Sequence, residues 1–466
     1  MTNKHIALAL SGTLVLAACD FDVPDLNRPA LDTVNSNPTP ALIAALATGL
    51  VAGSRADIAE RIGYVSELGI LGRESLVLSG SDDRFVTEML NGASLDPSTP
   101  NFGGNFWLAE YQNIKNANLL LGALDKVAEL TVPQRESVRG FAKTMKALDL
   151  LKVINTHDTN GAVLDADLPI GQLAPFVDKA TVLARISQLL DEASVHLAAA
   201  SPAFPFPLGN GFINFNTPAQ FLLVNRALAA RVFVYRNLFA SALTALAASF
   251  IDPATPGGTP ASGTSLAPFP GTGVFHAFGN GSGDSQNALN TTDIFVHQSI
   301  ISGAELKADG TLDNRVLAKT VAVTPLTLYG ETGSNGFIMY PNTDSMVPII
   351  RNEELILLRA EANIGLVLAG TGGSIGQARA DINFIRQTSG GLAPKPASGL
   401  LPANILDELL KQKVYSLLFE GGHRWIDARH YGRLGTLPID QPSIPQRVMP
   451  NFPIPTPEVN ARLGGP

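Results

Sequence analysis

Apolar residues recur at the spacing of one helical face along most of this sequence, and that periodicity limits the folds open to it. One stripe runs from Trp107 to Leu121, and a second follows Pro133, a residue type that suits the first turn of a helix. Further helices are predicted for residues 41–62, 180–199, 218–248, 352–368, 374–388 and 403–419. Long helix pairs with short connections predict a mainly α fold, either an α-solenoid or a helical bundle. No sequence repeat of about 34 residues is visible, so the solenoid prediction depends on helix pairing alone.

Residues 251–348 break this pattern. Within them, residues 253–283 are dense in Gly, Pro, Ser and Thr, and a loop of that length in a compact domain is usually functional or disordered. Short segments with strand character follow at 321–328 and 336–340. The sequence therefore predicts a loop-rich, partly β insertion laid over the helical body.

The first residues have the pattern of a bacterial lipoprotein signal. Lys4 precedes an apolar stretch from Ile6 to Ala18, which is too short to span a membrane as a helix. Leu16 to Cys19, in the order Leu-Ala-Ala-Cys, then looks like a lipobox, and Cys19 is the only cysteine in 466 residues. We therefore predict that Cys19 carries a lipid that holds the protein at a membrane. The alternative is an ordinary secretory signal that happens to contain a cysteine.

These features predict the division of the chain. Residues 1–18 are expected to be a lipoprotein signal peptide, and residues 19–40, rich in Asp, Asn and Pro, a lipid-anchored spacer. Residues 41–466 are expected to form a single helical domain with the insertion at about 251–348.

The charge balance argues against nucleic acid as the main partner. The chain has 33 Lys and Arg against 41 Asp and Glu, a formal net charge of −8, and no dense basic stretch. Only 16% of its residues are charged, and the chain contains 43 Gly and 32 Pro. This composition indicates many neutral loops.

Catalytic patterns are lacking in the sequence. The acidic pairs Asp82–Asp83 and Glu353–Glu354 are adjacent in sequence, so their carboxylates do not face each other as a glycosidase requires. No nucleophile elbow, His-Glu-x-x-His motif or phosphate-binding loop occurs. We therefore predict a protein that is not an enzyme and uses no cofactor.

Four segments in the C-terminal third resemble a known family in order and spacing. They read RNEELILLRAEANIG (351–365), ARADINFIRQTSGG (378–391), LLFEGGHRWIDARHYGRL (417–434) and FPIPTPEV (452–459). Together with WLAEYQNIKNANLLL (107–121) and the lipobox, they resemble the SusD/RagB family of outer-membrane nutrient-binding lipoproteins. Residues 155–161 depart from the family's usual turn, and residues 251–340 match no part of its pattern.

The resemblance implies both a fold and a function. The family has paired helices resembling tetratricopeptide repeats, with a large irregular insertion, and its members are not enzymes. They bind glycans or other nutrients at the cell surface and act as a lid on a SusC-like TonB-dependent transporter in the outer membrane. The expectation is therefore a surface lipoprotein that captures an oligosaccharide and delivers it to such a transporter.

The 420–430 segment allows two interpretations. His423, Asp427 and His430 would share one helical face and could form a metal site. Because the segment falls on a structural motif of the resembled family, we instead predict no metal there. A partly buried ion-pair network is expected from Glu420, Arg424, Asp427 and Arg429.

Aromatic residues in loops are the candidates for stacking on sugar rings. Trp107 and Trp425 lie within helical stripes and are predicted to be core residues. The remaining candidates are Phe85, Phe102, Tyr329 and Tyr340, with Asp82 and Asp83 as possible ligand or Ca²⁺ contacts. Each aromatic could instead simply attach its loop to the helical body. The ligand is expected to bind within residues 70–106 and 251–345, on the face that also meets the transporter.

Two other functions stay open. A helical scaffold lipoprotein that binds a peptide or protein is compatible with the low aromatic share of 7%, with two Trp and seven Tyr. A surface hydrolase is disfavoured, because the sequence lacks the catalytic patterns named above.

Overall fold

A computed structural model describes residues 37–169, 172–252, 272–282, 284–441 and 447–463. The predicted signal peptide, Cys19 and most of the predicted spacer lie outside these residues, as does most of the Gly- and Pro-rich stretch 253–283.

The described part of the first half of the chain is mainly helical. They are α1 (Pro40–Ser54), α2 (Tyr64–Leu71), α3 (Leu108–Ala123), α4 (Val132–His157), α5 (Lys179–Ala198), α6 (Pro218–Tyr235) and α7 (Phe239–Ala247). A π-helical turn spans Phe85–Leu90. Successive helices pack on each other from α3 through α7. This is the paired arrangement that the periodicity predicts, and the mainly α fold is confirmed.

Two short helices lie within the predicted insertion, and the others follow it. They are α8 (Gln298–Ser302), α9 (Asn314–Lys319), α10 (Asn352–Leu368), α11 (Ile375–Thr388), α12 (Ile405–Ser416), α13 (His423–His430) and α14 (Thr456–Leu463). As expected, Ser374 caps α11: its hydroxyl accepts from the backbone N–H of Gln377 at 3.0 Å.

Several predicted helices are shorter in the structure. The helix expected over 41–62 ends at Ser54, and the one expected over 403–419 covers Ile405–Ser416. The long helix expected over 218–248 is two helices, because Asn237 between them adopts a left-handed backbone with φ of 57°. The apolar periodicity continues across the break, so the periodicity does not reveal where the first helix ends.

Within the predicted insertion the chain forms most of its strands. The strands are β1 (Ser75–Val77), β2 (Ala162–Val163), β3 (Phe176–Val177), β4 (Gly273–His276), β5 (Ile294–Val296), β6 (Thr320–Leu328), β7 (Glu331–Phe337) and β8 (Val347–Arg351). A four-stranded antiparallel sheet has the order β1-β5-β7-β6, and β2–β3 and β4–β8 form separate pairs. The strand predicted at 321–328 is β6, and the one at 336–340 overlaps only the end of β7.

Buried ion pairs connect the 420–430 segment to distant elements. Glu420 accepts hydrogen bonds at 2.8 Å from Arg351 on β8 and from Lys319 at the end of α9. Asp427 accepts at 2.8 Å from Lys413 on α12.

The predicted network therefore needs a correction in its partners. Arg424 donates to the carbonyl of Arg73, and Arg429 forms an ion pair of 3.1 Å with Asp158, so the four residues do not pair with one another. Side chains around a short helix point in different directions, and each meets the element packed on its own side.

Both tryptophans are buried, as predicted. Trp425 is fully buried, and its indole N–H donates to the carbonyl of Met449 at 2.8 Å. Trp107 packs against the His157 ring with centroids 4.9 Å apart.

No helix among the described residues is long and apolar enough to cross a membrane.

Candidate functional site

Loops from four parts of the chain contribute to a polar surface that includes an exposed tyrosine. We call it the Tyr329 surface and define it by Arg61, Ser79, Ser81, Asp82, Arg84, Asp293 and Tyr329. The loop after β1 supplies Ser79 to Arg84, and the β6–β7 turn supplies Tyr329. The pairing of β1 with β5 brings the start of that loop to Asp293, whose carbonyl accepts from the Leu78 N–H at 2.9 Å.

Tyr329 holds an unusual backbone position. It and Gly330 have φ of 54° and 84°, the left-handed values that a two-residue turn needs to join twisted strands. A tyrosine in this region costs about 1–2 kcal/mol relative to ordinary backbone. The hydroxyl of Tyr329 donates to the carbonyl of Ser79 at 3.0 Å, while 39% of the residue stays exposed. The ring is thus held in place with part of its surface open.

Gln441 fixes the same turn from the other side. Its amide N–H donates to the carbonyl of Tyr329 at 3.0 Å and to the carboxylate of Glu331 at 2.7 Å. Two anchors therefore position the turn before any ligand arrives.

Asp82 and Arg84 form an ion pair within the loop after β1. The guanidinium of Arg84 donates to both carboxylate oxygens of Asp82, at 3.0 and 2.7 Å, and these hydrogen bonds lower the pKa of the Asp82 carboxyl. Arg84 also lies over the Phe102 ring, 4.4 Å from its centroid. Asp83 is exposed beside them.

Arg61 connects the loop after β1 to Asp293, the residue before β5. Its guanidinium donates to the carboxylate of Asp293 at 2.7 Å and approaches the hydroxyl of Ser79 at 3.5 Å. The hydroxyls of Ser79 and Ser81 are 3.0 Å apart. Guanidinium, hydroxyl and carboxylate groups thus lie on the loop that the Tyr329 hydroxyl contacts and on its neighbours, and such a set can hydrogen-bond the hydroxyls of a polyol.

Three of the four aromatic candidates are buried, and their predicted role in sugar stacking is wrong. Phe85 and Phe102 are fully buried and pack edge to face, with ring centroids 4.9 Å apart. Tyr340 is buried, and its hydroxyl donates to the carbonyl of Phe419 at 2.9 Å. Each ring instead attaches its segment to the body of the protein.

The sequence interpretation missed Arg61, Arg84 and Asp293. Arg84 had a local signal, since Asp82 two residues before it can bind both its backbone N–H and its side chain, as it does here. Arg61 and Asp293 are 232 positions apart, and no local pattern connects them.

The alternative metal set on α13 is occupied by other contacts. Asp427 is paired with Lys413, and burial lowers the pKa of His423 to about 4. His430 packs against the Tyr431 ring. Across the described ranges, no group of three or more His, Cys, Asp or Glu side chains is placed to hold a metal ion.

A second surface feature is an apolar groove of about 240 Å³ beside the start of α3. It is lined by Trp107, Tyr111, Leu168, Leu173 and Arg462. The last of these covers the neighbouring Phe176 ring at 4.1 Å. Leu173 is 49% exposed, so apolar surface is open to solvent here.

Comparisons with known proteins identify the fold. No family model and no curated protein sequence matches this chain. Solved structures do match. A SusD superfamily protein from Bacteroides vulgatus is 15% identical with a TM-score of 0.66, covering 91% of this chain and 97% of its own. A SusD-like carbohydrate binding protein from Bacteroides fragilis is 14% identical with a TM-score of 0.68, covering 92% and 99%.

A laminarin binding SusD-like protein is 18% identical with a TM-score of 0.65, covering 90% of this chain and 97% of its own. At these identities the likeness concerns the fold, and it extends over nearly the whole length of each chain. The resemblance seen in the sequence motifs is confirmed at this level: the chain has the fold of the SusD superfamily.

Proposed function

We propose that this chain is a cell-surface glycan-binding lipoprotein that captures an oligosaccharide on its Tyr329 surface and passes it to a SusC-like TonB-dependent transporter. In this proposal it is held at the outer membrane by a lipid on Cys19 and performs no catalytic step. The observation that carries the proposal is the full-length match of its fold to proteins described as carbohydrate binding and laminarin binding.

The Tyr329 surface supports this assignment chemically. A neutral sugar presents hydroxyl groups and C–H faces, so its site needs hydrogen-bonding side chains and an aromatic plane. Tyr329 is the one large aromatic residue among the strongly exposed apolar residues of the described ranges. The arginine, serine and aspartate side chains of the same surface are each already held by a neighbour, so little conformational entropy is lost on binding.

Titration calorimetry with laminari-oligosaccharides and other neutral oligosaccharides tests the capture step. Tyr329→Asn removes the ring while keeping a residue that tolerates the left-handed backbone. We expect affinity to fall by about tenfold or more, because about 1.4 kcal/mol of lost contact is a factor of ten. Arg84→Ala should also weaken binding, through the loss of its donors.

Leu368→Asn is the matched control, since Leu368 is exposed at the end of α10 and α10 contributes nothing to the Tyr329 surface. It should leave affinity unchanged. Affinity should vary little with salt, because a neutral ligand releases no counterions. Unchanged binding in both Tyr329→Asn and Arg84→Ala would contradict this placement of the site.

The delivery step is tested in cells. Replacing the chromosomal copy with Tyr329→Asn should slow uptake of the oligosaccharide that the wild-type protein binds. Normal uptake by a variant that no longer binds in calorimetry would argue against a delivery role.

A second candidate function is binding of an apolar peptide in the groove beside α3. The groove's open leucine surface favours this candidate. A fluorescence-polarisation screen with labelled amphipathic peptides, on wild type and Leu173→Asp, separates the two functions. Peptide binding that is lost in Leu173→Asp, together with no oligosaccharide binding, would favour the second.

A further inference from the structure

The edge of the four-stranded sheet is open to solvent. β6 pairs with β7 on one side, and no described strand pairs with its other side. Residues 321–327 are all exposed, so nothing among the described residues covers this edge. An open edge presents backbone N–H and C=O groups that can pair with another strand.

The register of β6 against β7 identifies which backbone groups of β6 point away from β7. Ile338 donates its N–H to the carbonyl of Lys319 at 2.9 Å, so Lys319 and Ile338 are a hydrogen-bonded pair. The N–H of Thr320 donates instead to the carbonyl of Val316. Hydrogen-bonded and non-hydrogen-bonded pairs alternate along an antiparallel ladder. Ala322, opposite Asn335, is therefore in a non-hydrogen-bonded pair. Its N–H and C=O face away from β7.

The sequence around Ala322 is a palindrome. Residues 320–324 read Thr-Val-Ala-Val-Thr. An antiparallel pair formed by two copies of this segment, with a two-fold axis at Ala322, places Val321 opposite Val323 of the partner subunit. It also places Thr320 opposite Thr324 of the partner subunit. Each pairing occurs twice, as a two-fold interface requires.

The side chains on this edge favour association. Val321 is 46% exposed and Val323 is 38% exposed. Val321 pairs with Gly336, and Ile338, two residues after that glycine, is 42% exposed. No charged residue occurs from Thr320 to Gly330, whereas isolated edge strands commonly carry lysine or another charge to prevent pairing.

Pro325 ends the segment that can pair. It has no backbone N–H, and the register of β6 shifts between Ala322 and Leu326. Pairing is thus confined to about the five palindromic residues, which opposes indefinite strand addition and favours a closed two-fold contact.

We propose that β6 is a self-association edge, where a second copy of this chain pairs antiparallel about Ala322 and joins the two four-stranded sheets. The two Ala322 residues exchange two backbone hydrogen bonds, and the four valines pack side by side. The contact is smaller than a standard interface, so the dimer is weak and depends on concentration. This inference is independent of glycan binding.

Sedimentation velocity of the purified full chain over about 1–200 μM measures the association. We expect a concentration-dependent dimer in wild type. Ala322→Pro removes the outward N–H without removing a bond to β7. Val323→Lys places an ammonium group opposite Val321 of the partner subunit in each of the two pairs, and the two lysines become like-charged diagonal neighbours. Either should raise the dissociation constant about tenfold or more.

Ala322→Val is the matched control, because it keeps the N–H and should still dimerise. Melting temperatures of all three variants check that the fold is intact, and Val323→Lys serves if Ala322→Pro does not fold. A chain that is monomeric throughout the range, or a dimer that none of these changes weakens, would overturn the proposal.

Cysteine cross-linking tests the register directly. In a Cys19→Ser background, Ala322→Cys supplies the single thiol of the chain. Directly opposed residues in a hydrogen-bonded pair have Cα atoms about 5.5 Å apart, within the range of a disulfide. Oxidation should give a covalent dimer with Ala322→Cys and much less with Val195→Cys, an exposed position on α5.

Equal cross-linking of both variants would contradict the two-fold register. If a free Thr-Val-Ala-Val-Thr peptide bound tightly to a chain that does not dimerise, the self-association proposal would be wrong. The edge of β6 would then bind a partner other than a second copy.

Discussion

Phe85 and Phe102 come from polar surroundings in the sequence, yet both rings are fully buried. Each is covered by a residue from elsewhere in the fold: Arg61 lies 5.8 Å from the Phe85 ring centroid, and Arg84 lies over Phe102. Tyr329 lies in the tight turn between β6 and β7 and stays 39% exposed. For an aromatic residue in a loop, tertiary contacts therefore decide between a core role and a binding role.

Trp425 gives the first prediction at this scale. Trp425→Ala should lower the free energy of unfolding by about 3–5 kcal/mol, because it leaves a cavity and an unpaired carbonyl at Met449. Denaturant unfolding measures the change. Tyr329→Asn is the exposed control and should cost much less. A Trp425→Ala protein with wild-type stability that had lost its ligand would instead place Trp425 in the binding site.

Glu67 gives a second prediction, on pH. Burial raises the pKa of its carboxyl to about 8, well above an ordinary glutamate, although Asn105 lies 3.3 Å away as a weak donor. The native state therefore keeps a proton that the unfolded state has lost, and stability falls as pH rises from about 4.5 to about 8.

Glu67→Gln removes this proton equilibrium. We expect its melting temperature to exceed that of wild type at pH 9 and to approach the wild-type value near pH 4, in parallel thermal scans. A difference that does not change with pH would show that Glu67 does not titrate in this range.

Helix positions followed from periodicity, whereas the breaks between helices did not. The apolar stripe expected over 218–248 continues past Tyr235, but the chain turns at Asn237 and begins α7 at Phe239. Asn237 and Leu238 donate their N–H groups to the carbonyls of Val234 and Phe233, which closes the turn at 2.8 Å in each case.

Substitution at Asn237 tests that explanation. Asn237→Val should destabilise the protein by about 1–2 kcal/mol, since a β-branched residue is disfavoured at positive φ, while Asn237→Gly should be neutral or slightly stabilising. Arg236→Val is the neighbouring control, because Arg236 has φ of −90°. Chemical denaturation of the three variants decides the matter. Equal costs at 236 and 237 would mean that the turn does not depend on backbone conformation.

Strand order is another element-level feature that the sequence left open. The strand character of residues 321–328 located β6, but the sheet places β7 between β6 and β5 and uses β1, which lies more than 200 residues earlier in the chain. The pairing of β1 with β5 then brings the loop that carries Ser79 to Asp293, and both belong to the Tyr329 surface.

At the scale of the whole molecule, the lipid prediction still depends on sequence alone, because Cys19 lies outside the described residues. Cys19→Ala should move the protein from the membrane fraction to the soluble fraction in cell fractionation, since it removes the one thiol that could carry lipid. Ala18→Gly keeps a small residue before Cys19 and should leave the protein with the membranes. An unchanged distribution of Cys19→Ala would contradict lipid anchoring at this residue.

The sequence by itself determined the helical class, most helix positions, the buried tryptophans and the β6 strand, because each depends on residues within a few turns of one another. Only the tertiary structure decided the partners of the buried charges and the make-up of the Tyr329 surface. Arg351 and Glu420 are 69 positions apart, and the contact from Tyr329 to Ser79 spans 250. A local pattern records which face of an element is apolar. It does not record which distant element covers that face, and here that contact decides which aromatic ring and which charges stay open to a ligand.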